Sequence, residues 1–436
     1  MSVVVLVDGE HQPDAVRAAI ALLETAGDAV VGAVFCGGAE KVDPAQIDDA
    51  YGVPVVHGSS VDDAVVEALR RFAPASVVDL TDEPILRPAD RLRLASIALF
   101  HGARYRGADF ELRPPAFEAV LTKPSVRVFA TGKRTGKTAV ASAIARTAAS
   151  RGFKPVIIAV GRGGPAEPRV IEAGTAFDAR TLVAMADAGL HAASDYVEDA
   201  ITSGVTTIGC RRVGGGLAGA VVLSNAPSAA RVANERPEDI VILEGSGASI
   251  PDVAAGAGVI CVPSHAGPDV VSGYLNPYRL LLAHLAVVTM AEHGSGAAEM
   301  EAAIRSIAPH IDVMPVVFRP RPLSPVRGKR VFLCCTALPY AGPILAAHLE
   351  QEHGCEVVGM THRLADRPAL VADLDTAPAY DVLLTEIKGP AIDVAARRAL
   401  AEGREVVFVD NQVVGDGADD AFATVLDRAV AAEAAG

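Results

Sequence analysis

The sequence predicts an α/β protein with a P-loop NTPase-like core, built on a mainly parallel sheet, and an N-terminal Rossmann-like α/β domain. Short β-branched runs alternate with helical patterns along almost the whole chain, which is typical of βαβ units. One apolar run leads into a glycine-rich loop that ends in Gly-Lys-Thr at residues 136–138. Another apolar run, 240–243, is followed directly by the acidic residue Glu244.

Residues 1–124 are predicted to form the N-terminal α/β domain, which is a candidate for movement over the functional site. Its first strand is not followed by G-x-G-x-x-G, so we do not expect it to bind a dinucleotide. The proline-rich stretch 112–124 is predicted to be the domain boundary. The predicted strands are 3–7, 29–35 and 75–80, and the predicted helices are 14–26, 61–72 and 88–100.

Residues 125–436 are predicted to contain the P-loop core. A Pro/Arg-rich stretch, 318–328, is predicted to connect this core to the last segment, 329–436. That segment is either a C-terminal domain or an extension of the central sheet, and the pattern leaves both open. The predicted core strands are 126–130, 155–160, 206–209, 220–223, 240–243 and 258–262. The predicted strands of the last segment are 330–335, 356–360, 381–385 and 405–409.

Composition argues against a non-specific nucleic-acid binder. The 436 residues include 39 Lys and Arg against 53 Asp and Glu, which gives a net charge of −14. Acidic proteins are repelled by the phosphate backbone, and the aromatic content of 4% leaves few rings for stacking on bases. A local basic pocket remains compatible with this balance. Such a pocket is what a small anionic phosphorylated substrate, the expected partner, would require.

The sequence also predicts a cytoplasmic protein that does not cross a membrane. Residues 1–10 lack the basic start of a signal peptide, and the longest apolar stretch, 280–290, is too short to span a bilayer. No two cysteines form a C-x-x-C pair, which favours reduced, buried thiols. These cysteines are Cys36, Cys210, Cys261, Cys334, Cys335 and Cys355.

The loop at residues 131–138 matches the second half of the phosphate-binding pattern G-x-x-x-x-G-K-[ST]. Position 131 is Thr, and a glycine stands one place later. Small residues let backbone N–H groups converge on phosphate oxygens, and the following helix adds the positive end of its dipole. The residues predicted to bind ATP are Thr131, Gly132, Lys133, Arg134, Thr135, Gly136, Lys137 and Thr138.

Three residues are predicted to carry the nucleotide chemistry. Lys137 can reach the β- and γ-phosphates, and the Thr138 hydroxyl can ligate Mg²⁺. Glu244 follows a buried strand and is placed to hold Mg²⁺, directly or through water, or to act as a general base. The plainer alternatives are a glycine turn with exposed lysines and a surface acid at a turn.

Further basic residues follow several of the predicted strands and outline a cationic rim around the loop. Clustered cations stabilise the charge of a transferring phosphoryl group. On its own, each of these residues could equally be an ordinary surface residue. The histidine could equally have a structural role or bind a ligand. The predicted catalytic residues are Lys137, Lys133, Glu244 and Arg162. The predicted substrate residues are Arg134, Arg162, Arg169, Arg211, Arg212 and His265.

Several stretches, in this order, resemble the cyclic 2,3-diphosphoglycerate synthetase family. They are VVDLTDEPIL, ATGKRTGKTAV, GRGGPAEP, RVGGGLAG and LEGSGASIPDV, with TEIKGPAIDV and VVFVDNQVV as weaker matches. The resemblance implies an ATP-dependent ligase that converts 2,3-bisphosphoglycerate and ATP into the cyclic 2,3-diphosphate, ADP and phosphate. It also implies Mg²⁺ and makes a homodimer the expected assembly.

Three other functions remain open at the level of sequence. A P-loop kinase acting on a phosphoglycerate-like acid would give a stable phosphorylated product without a ring. A regulatory NTPase switch would hydrolyse slowly and bind a partner. A non-catalytic binding protein would show no turnover. The absence of an N-K-x-D guanine motif favours ATP over GTP only weakly.

Overall fold

The computed structural model describes residues 1–292 and 294–435. Three β-sheets follow one another along this part of the chain, with helices packed against their faces. Most neighbouring strands are parallel, so the predicted α/β class with a mainly parallel core sheet is confirmed.

The N-terminal sheet has the strand order β3-β2-β1-β4-β5-β6. The strand order reverses between β1 and β4, as in Rossmann-like sheets. The last pair, β5 and β6, is antiparallel. The strands are β1 Ser2–Val7, β2 Ala29–Phe35, β3 Val55–Val56, β4 Ser76–Asp79, β5 Arg104–Arg106 and β6 Glu111–Leu112. The helices are α1 Pro13–Thr25, α2 Val61–Phe72 and α3 Pro88–Phe100, with a 3₁₀ turn at Pro44–Asp49.

The central sheet has nine strands in the order β11-β10-β8-β12-β7-β13-β14-β15, with β9 paired to β10. The strands are β7 Ser125–Ala130, β8 Pro155–Gly161, β9 Arg169–Ile171, β10 Thr206–Val213, β11 Leu223–Ser224, β12 Ile240–Glu244, β13 Ala257–Pro263, β14 Leu285–Thr289 and β15 Asp312–Pro315. The helices are α4 Lys137–Ser150, α5 Ala179–Asp187, α6 Asp195–Ser203, α7 Ala226–Asn234, α8 Asp269–Ser272, α9 Asn276–Leu281 and α10 Ala297–Ile307, with a 3₁₀ turn at Ser264–Ala266.

The position of β7 in this sheet decides where the functional loop lies. The strand is buried along its whole length and pairs in parallel with β12 on one side and β13 on the other. Because parallel strands end at the same sheet edge, the loop after β7 lies beside the ends of both neighbours. Glu244 at the end of β12 therefore faces the loop at residues 131–138.

One expectation for the central sheet is wrong in detail, and the buried strand β14 was missed. A strand was expected at 220–223, but residues 220–222 lie outside the short β11, and the Val222 side chain is 87% exposed. Here the β-branched run lies in an exposed turn after three glycines rather than in the sheet. The buried strand β14 was not predicted, because its apolar run is continuous with that of α9.

The last segment forms its own five-stranded sheet, in the order β16-β20-β19-β17-β18, and does not extend the central sheet. The strands are β16 Val317–Pro322, β17 Arg330–Cys334, β18 Glu356–Thr361, β19 Val382–Thr385 and β20 Glu405–Val414. The helices are α11 Gly342–His353, α12 Arg367–Asp375, α13 Arg397–Ala401 and α14 Ala418–Ala435. A 3₁₀ turn at Pro339–Ala341 and a π-helix at Ala391–Ala396 complete it.

The expected connector at 318–328 is partly a strand, because β16 pairs antiparallel with β20. Pro320 and Pro322 are tolerated there since β16 is an edge strand, where a missing N–H breaks no ladder on its outer side. The chain then leaves this sheet through α14, which packs back on the central sheet. Phe422 and Leu426 are buried against residues of α4, β7 and β13. The predicted domain boundaries stay a prediction.

We expect Phe422→Ala to lower the free energy of unfolding by about 3–5 kcal/mol, because it leaves a cavity between α14 and the central sheet. Leu22→Ala, on the exposed face of α1, is the control and should change it by less than about 0.5 kcal/mol. Urea denaturation followed by circular dichroism measures both. Equal, small effects would show that α14 does not stabilise the central sheet.

Candidate active site

A cavity of about 710 Å³ opens between the carboxyl ends of the central strands and the C-terminal sheet. One wall comes from the loop at 133–139, from 244–247 and from side chains that follow β8 and β13. The opposite wall comes from residues that follow β17 and β19 and from the middle of β20. Among the described residues, none from 1–124 lines this cavity. The C-terminal sheet, rather than the N-terminal domain, therefore faces the loop.

The loop after β7 has the conformation of a phosphate cradle. Gly136 has φ +84°, and a Cβ at this position would lie 2.1 Å from the Phe318 ring, so only glycine fits. Within the described chain, the backbone N–H groups of residues 132–136 donate no hydrogen bond to a protein acceptor. α4 begins at Lys137 and directs its N-terminus to the same place. Free N–H groups at a helix N-terminus suit an anion such as a phosphate.

The Lys137 ammonium folds back over the loop. Nζ donates to the Gly132 carbonyl oxygen at 3.0 Å and to the Thr135 hydroxyl at 3.3 Å. Burial lowers the pKa of Lys137, because the charged form is desolvated and finds no ionised partner within hydrogen-bond range in the described structure. A phosphate in the cradle would supply that partner.

Thr138 and Glu244 meet at the base of the cavity. The Thr138 hydroxyl donates to Glu244 Oε1 at 2.8 Å, while Glu244 Oε2 is buried without a hydrogen-bond partner in the described structure. A hydroxyl and a carboxylate with a free oxygen are the donor set that Mg²⁺ accepts, since it binds proteins through one or two carboxylates and completes its shell with phosphates and water. The residues present fit the ion. No group of three or more His, Cys, Asp or Glu side chains suited to a metal occurs among the described residues.

Asp199, which the sequence analysis missed, lies behind the cavity wall beside Glu244. It lies on α6, its side chain is completely buried, and neither carboxyl oxygen accepts a hydrogen bond from an N–H or hydroxyl donor in the described part of the chain. Its carboxyl interacts with that of Glu244, and burial followed by mutual repulsion raises the pKa of Asp199 well above its usual value. Burial and the charge of Asp195 likewise raise the pKa of Glu244. The available signal was three acidic residues at 195, 198 and 199 on one helix face.

The predicted basic residues divide into two groups. Lys133, Arg134, Arg162 and His265 line the cavity and are exposed to it. Three others do not line it: Arg169, Arg211 and Arg212. Arg169 and Arg211 are exposed elsewhere on the surface.

Arg212 and Thr131 have roles in the backbone around the site. Arg212 donates to the Gly214 carbonyl oxygen at 2.7 Å and to the Ser246 carbonyl oxygen, so it holds the loop that follows Glu244. The Thr131 N–H donates to the Cys261 carbonyl oxygen at 3.3 Å, which joins the start of the phosphate loop to β13.

The C-terminal sheet supplies polar groups that the sequence analysis did not assign to the site. Glu386 accepts hydrogen bonds from the Thr336 N–H at 3.1 Å, the Thr336 hydroxyl at 2.7 Å and the Asn411 side-chain amide at 3.1 Å. Lys388 Nζ donates to the two carboxyl oxygens of Glu198 at 2.6 and 2.8 Å. Polar residues directly after apolar strands, in TEIKGP, were the signal that could have identified them.

Comparison with known proteins gives matches along almost the whole chain. Residues 2–113, 125–317 and 322–412 match the family models of the N-terminal, P-loop and C-terminal domains of cyclic 2,3-diphosphoglycerate synthetase. A cyclic 2,3-diphosphoglycerate synthetase of Rubrobacter xylanophilus is 45% identical and covers 97% of this chain and 96% of its own. The chain belongs to the cyclic 2,3-diphosphoglycerate synthetase family. The resemblance inferred from its motifs is confirmed, and with it the expectation of an enzyme of this family.

Two further proteins are similar to this chain. A synthetase of the same name from Methanothermobacter thermautotrophicus is 40% identical and covers 99% of this chain and 97% of its own. The structure of LpxK from Aquifex aeolicus in complex with ATP is 11% identical, with a TM-score of 0.42, and covers 72% of this chain and 90% of its own. None of the helices described here is both long enough and apolar enough to span a bilayer.

We expect Asp199→Asn to stabilise the protein in the absence of nucleotide and metal, by an amount that grows with pH. Burial raises the folded pKa of Asp199 above its unfolded value of about 3.9, so stability is lost as the pH rises from the unfolded toward the folded pKa. Asparagine avoids this cost, and its amide can donate to the free oxygen of Glu244. Thermal unfolding from about pH 5 to pH 8 measures the difference from the unmodified protein.

The control for this measurement is Asp187→Asn. Asp187 is exposed and pairs with Arg397 at 2.7 Å, which lowers the pKa of Asp187. Its contribution has the opposite sign: it is present above the unfolded pKa and lost in acid. A difference for Asp199→Asn that is independent of pH, or a loss of stability at neutral pH, would contradict a buried acid with a raised pKa.

Proposed function

We propose that this protein is an ATP-dependent ligase that closes the phosphoanhydride ring of cyclic 2,3-diphosphoglycerate. The observation that carries the proposal is one cavity in which a phosphate cradle, the Thr138–Glu244 contact and several free cations face a second polar wall. Its volume of about 710 Å³ leaves room beside the nucleotide phosphates for a small acid. The names of its relatives give the cyclic product, which supports 2,3-bisphosphoglycerate as that acid.

Ring closure requires activation, because joining two phosphates as an anhydride is unfavourable in water. In the proposed reaction, an oxygen of one substrate phosphate attacks the γ-phosphorus of ATP, and ADP leaves. The other substrate phosphate then attacks the phosphorus that stays bound to the glycerate, and the transferred group leaves as orthophosphate. The second step is intramolecular, so the attacking oxygen has a high effective concentration.

The position of each residue in the cavity indicates which part of the reaction it serves. Lys137 and the free N–H groups of the loop bind the β- and γ-phosphates. Lys133, Arg134 and Arg162 contribute positive charge where the two anions meet, and His265 lies at the same rim. Thr138 and Glu244 would hold Mg²⁺, which when bound neutralises the oxygens of the transferring group. Arg169, Arg211 and Arg212 are left out of this substrate set, because they do not line the cavity.

The remaining expectations concern the whole molecule. We infer a domain division at 1–124 and 125–436, in which residues 329–436 add a C-terminal α/β unit.

The six cysteines are free and buried, as expected of a protein in the reducing cytoplasm. A homodimer is supported by the sheet edge at β11, where Leu223 of the strand and Val222 just before it are exposed.

Phosphorus NMR of the purified protein with Mg-ATP and 2,3-bisphosphoglycerate tests the proposed reaction. Upfield pyrophosphate-type signals distinct from ADP, together with one phosphate released for each ADP formed, are the expected result. A stable phosphorylated product without a ring would instead identify a kinase. Slow release of phosphate that does not depend on the acid would favour a regulatory switch, and no nucleotide consumption would favour a binding protein.

We expect Lys137→Ala to reduce ATP turnover by about 10²-fold or more, because the γ-phosphoryl group loses its buried cation. The matched control is Lys154→Ala, an exposed lysine next to the opposite end of β8. Coupled detection of ADP measures turnover. Retained turnover in Lys137→Ala would remove this residue from the phosphate-binding role.

We expect Glu244→Gln to abolish the increase in thermal stability that Mg²⁺ adds to ADP binding, while the protein still folds. A neutral amide keeps the shape of the side chain but is a poor ligand for a hard cation. Asp239→Asn, just before the same strand at its other end, is the control. Thermal unfolding with ADP, with and without Mg²⁺, measures the effect. An unchanged Mg²⁺ response in Glu244→Gln would show that Glu244 is structural.

A further inference from the structure

The loop after β19 closes the cavity opposite the phosphate loop. Glu386, Lys388, Gly389 and Pro390 line the cavity, and they belong to the motif TEIKGPAIDV. The strand ends at Thr385, so this loop lies at the carboxyl end of its sheet, as the phosphate loop does in the central sheet. The two ligand-binding edges therefore face each other across one space.

Hydrogen bonds fix this loop in place. The Glu386 carboxylate accepts from the N–H and hydroxyl of Thr336 and from the amide of Asn411, which ties the ends of β17 and β19 to the middle of β20. Lys388, two residues later, is thereby held at the cavity wall. Its side chain is 38% exposed, and the cavity is the space it faces.

Lys388 is charged in the resting protein. Desolvation alone would lower the pKa of Lys388, but the carboxylates of Glu198 and Glu386 raise it above the usual value. Glu198 is the direct partner and belongs to α6, whose acidic face also carries Asp199. A structural ion pair of this kind contributes little net stability, because desolvation offsets the attraction. A flexible lysine stem can exchange its carboxylate partner for a phosphate without moving the backbone.

We propose that Lys388 binds a phosphate of the acceptor substrate, on the side of the transferring phosphoryl group opposite to Lys137. This proposal rests on the proposed function and assigns the acceptor to a place between the phosphate loop and the C-terminal sheet. ATP and a bisphosphorylated acid repel each other, and Lys137 is occupied with the nucleotide. A second cation on the acceptor side offsets that repulsion. Glu198 is the positioning residue that holds Lys388 at the wall when no phosphate is bound.

Calorimetric titration of 2,3-bisphosphoglycerate into the full-length protein, in the presence of Mg-ADP, tests the proposal. Lys388→Ala should weaken this binding by about 10- to 100-fold, as expected for a lost charged hydrogen bond. The affinity for Mg-ADP itself should change by less than about twofold. Lys388→Arg should recover part of the affinity, because it keeps the charge. The matched control is Lys329→Ala, which removes a half-buried lysine just before β17 that pairs with Glu405 of the same sheet.

A double variant, Glu198→Gln with Lys388→Met, separates a lost contact from a new repulsion. In Lys388→Ala, the unpaired Glu198 would itself repel an anion, whereas the double variant has neither charge. The proposal expects the double variant to bind as weakly as Lys388→Ala. Recovery of the original affinity in the double variant would overturn it. The double variant also avoids leaving a buried charge unpaired, so it protects the test against a failure to fold.

The outcomes distinguish this proposal from the proposed function. Unchanged substrate affinity in Lys388→Ala, with ring formation intact, would overturn the role of Lys388 and leave the ligase reaction standing. Equal weakening of ADP binding and substrate binding would show that Lys388 acts on the nucleotide side, and this result would also overturn the proposal. If the unmodified protein neither binds 2,3-bisphosphoglycerate nor forms the ring, the proposed function and this inference both fail.

Discussion

The hydrogen bond between Thr138 and Glu244 is the contact on which the candidate site depends. It requires that β7 and β12 be neighbours, because Thr138 follows one strand and Glu244 ends the other. The pairing of Glu244 with Val128 sets the height of the carboxylate relative to the loop. With this register, the phosphate cradle, the buried lysine and the acid meet in one place. A slip of one residue would turn Glu244 to the opposite face of the sheet.

The same contact explains why two buried carboxyl groups lie close together in the site. Glu244 keeps one oxygen without a partner and lies beside the buried carboxyl of Asp199. Two carboxyls in a buried place are costly unless a proton or a cation lies between them. This cost is concentrated where the phosphate loop, β12 and α6 converge, and a cation bound there would relieve it.

The C-terminal sheet gives the cavity its second wall. Its strands β17 and β19 point their carboxyl ends at the phosphate loop, and α14 anchors it by packing against the central sheet. The result is a site between two sheet edges, which can surround a small and highly charged substrate with donors from both sides. Lys137 and Lys388 lie on opposite walls of this site. The N-terminal sheet takes no part in lining this cavity among the described residues.

The sequence by itself determined the α/β class, most long strands, the phosphate loop and the family. These features are local: a buried parallel strand is a continuous apolar run, and Gly-Lys-Thr follows its strand directly. The short strands of the N-terminal sheet and the edge strand β16 escaped prediction because pairing partners, rather than their own residues, make them strands.

Only the tertiary structure decided which polar residues share the site. Glu198 and Lys388 are 190 residues apart in sequence, and Thr138 and Glu244 are 106 apart. Asp199 reads in sequence as one more acid on a short helix, and burial beside Glu244 is what makes it unusual. Arg162 and Arg212 look alike in sequence, yet one lines the cavity and the other holds a backbone loop. The physical reason is that direction and burial of a side chain are set by strand order and helix packing, which a linear pattern does not contain.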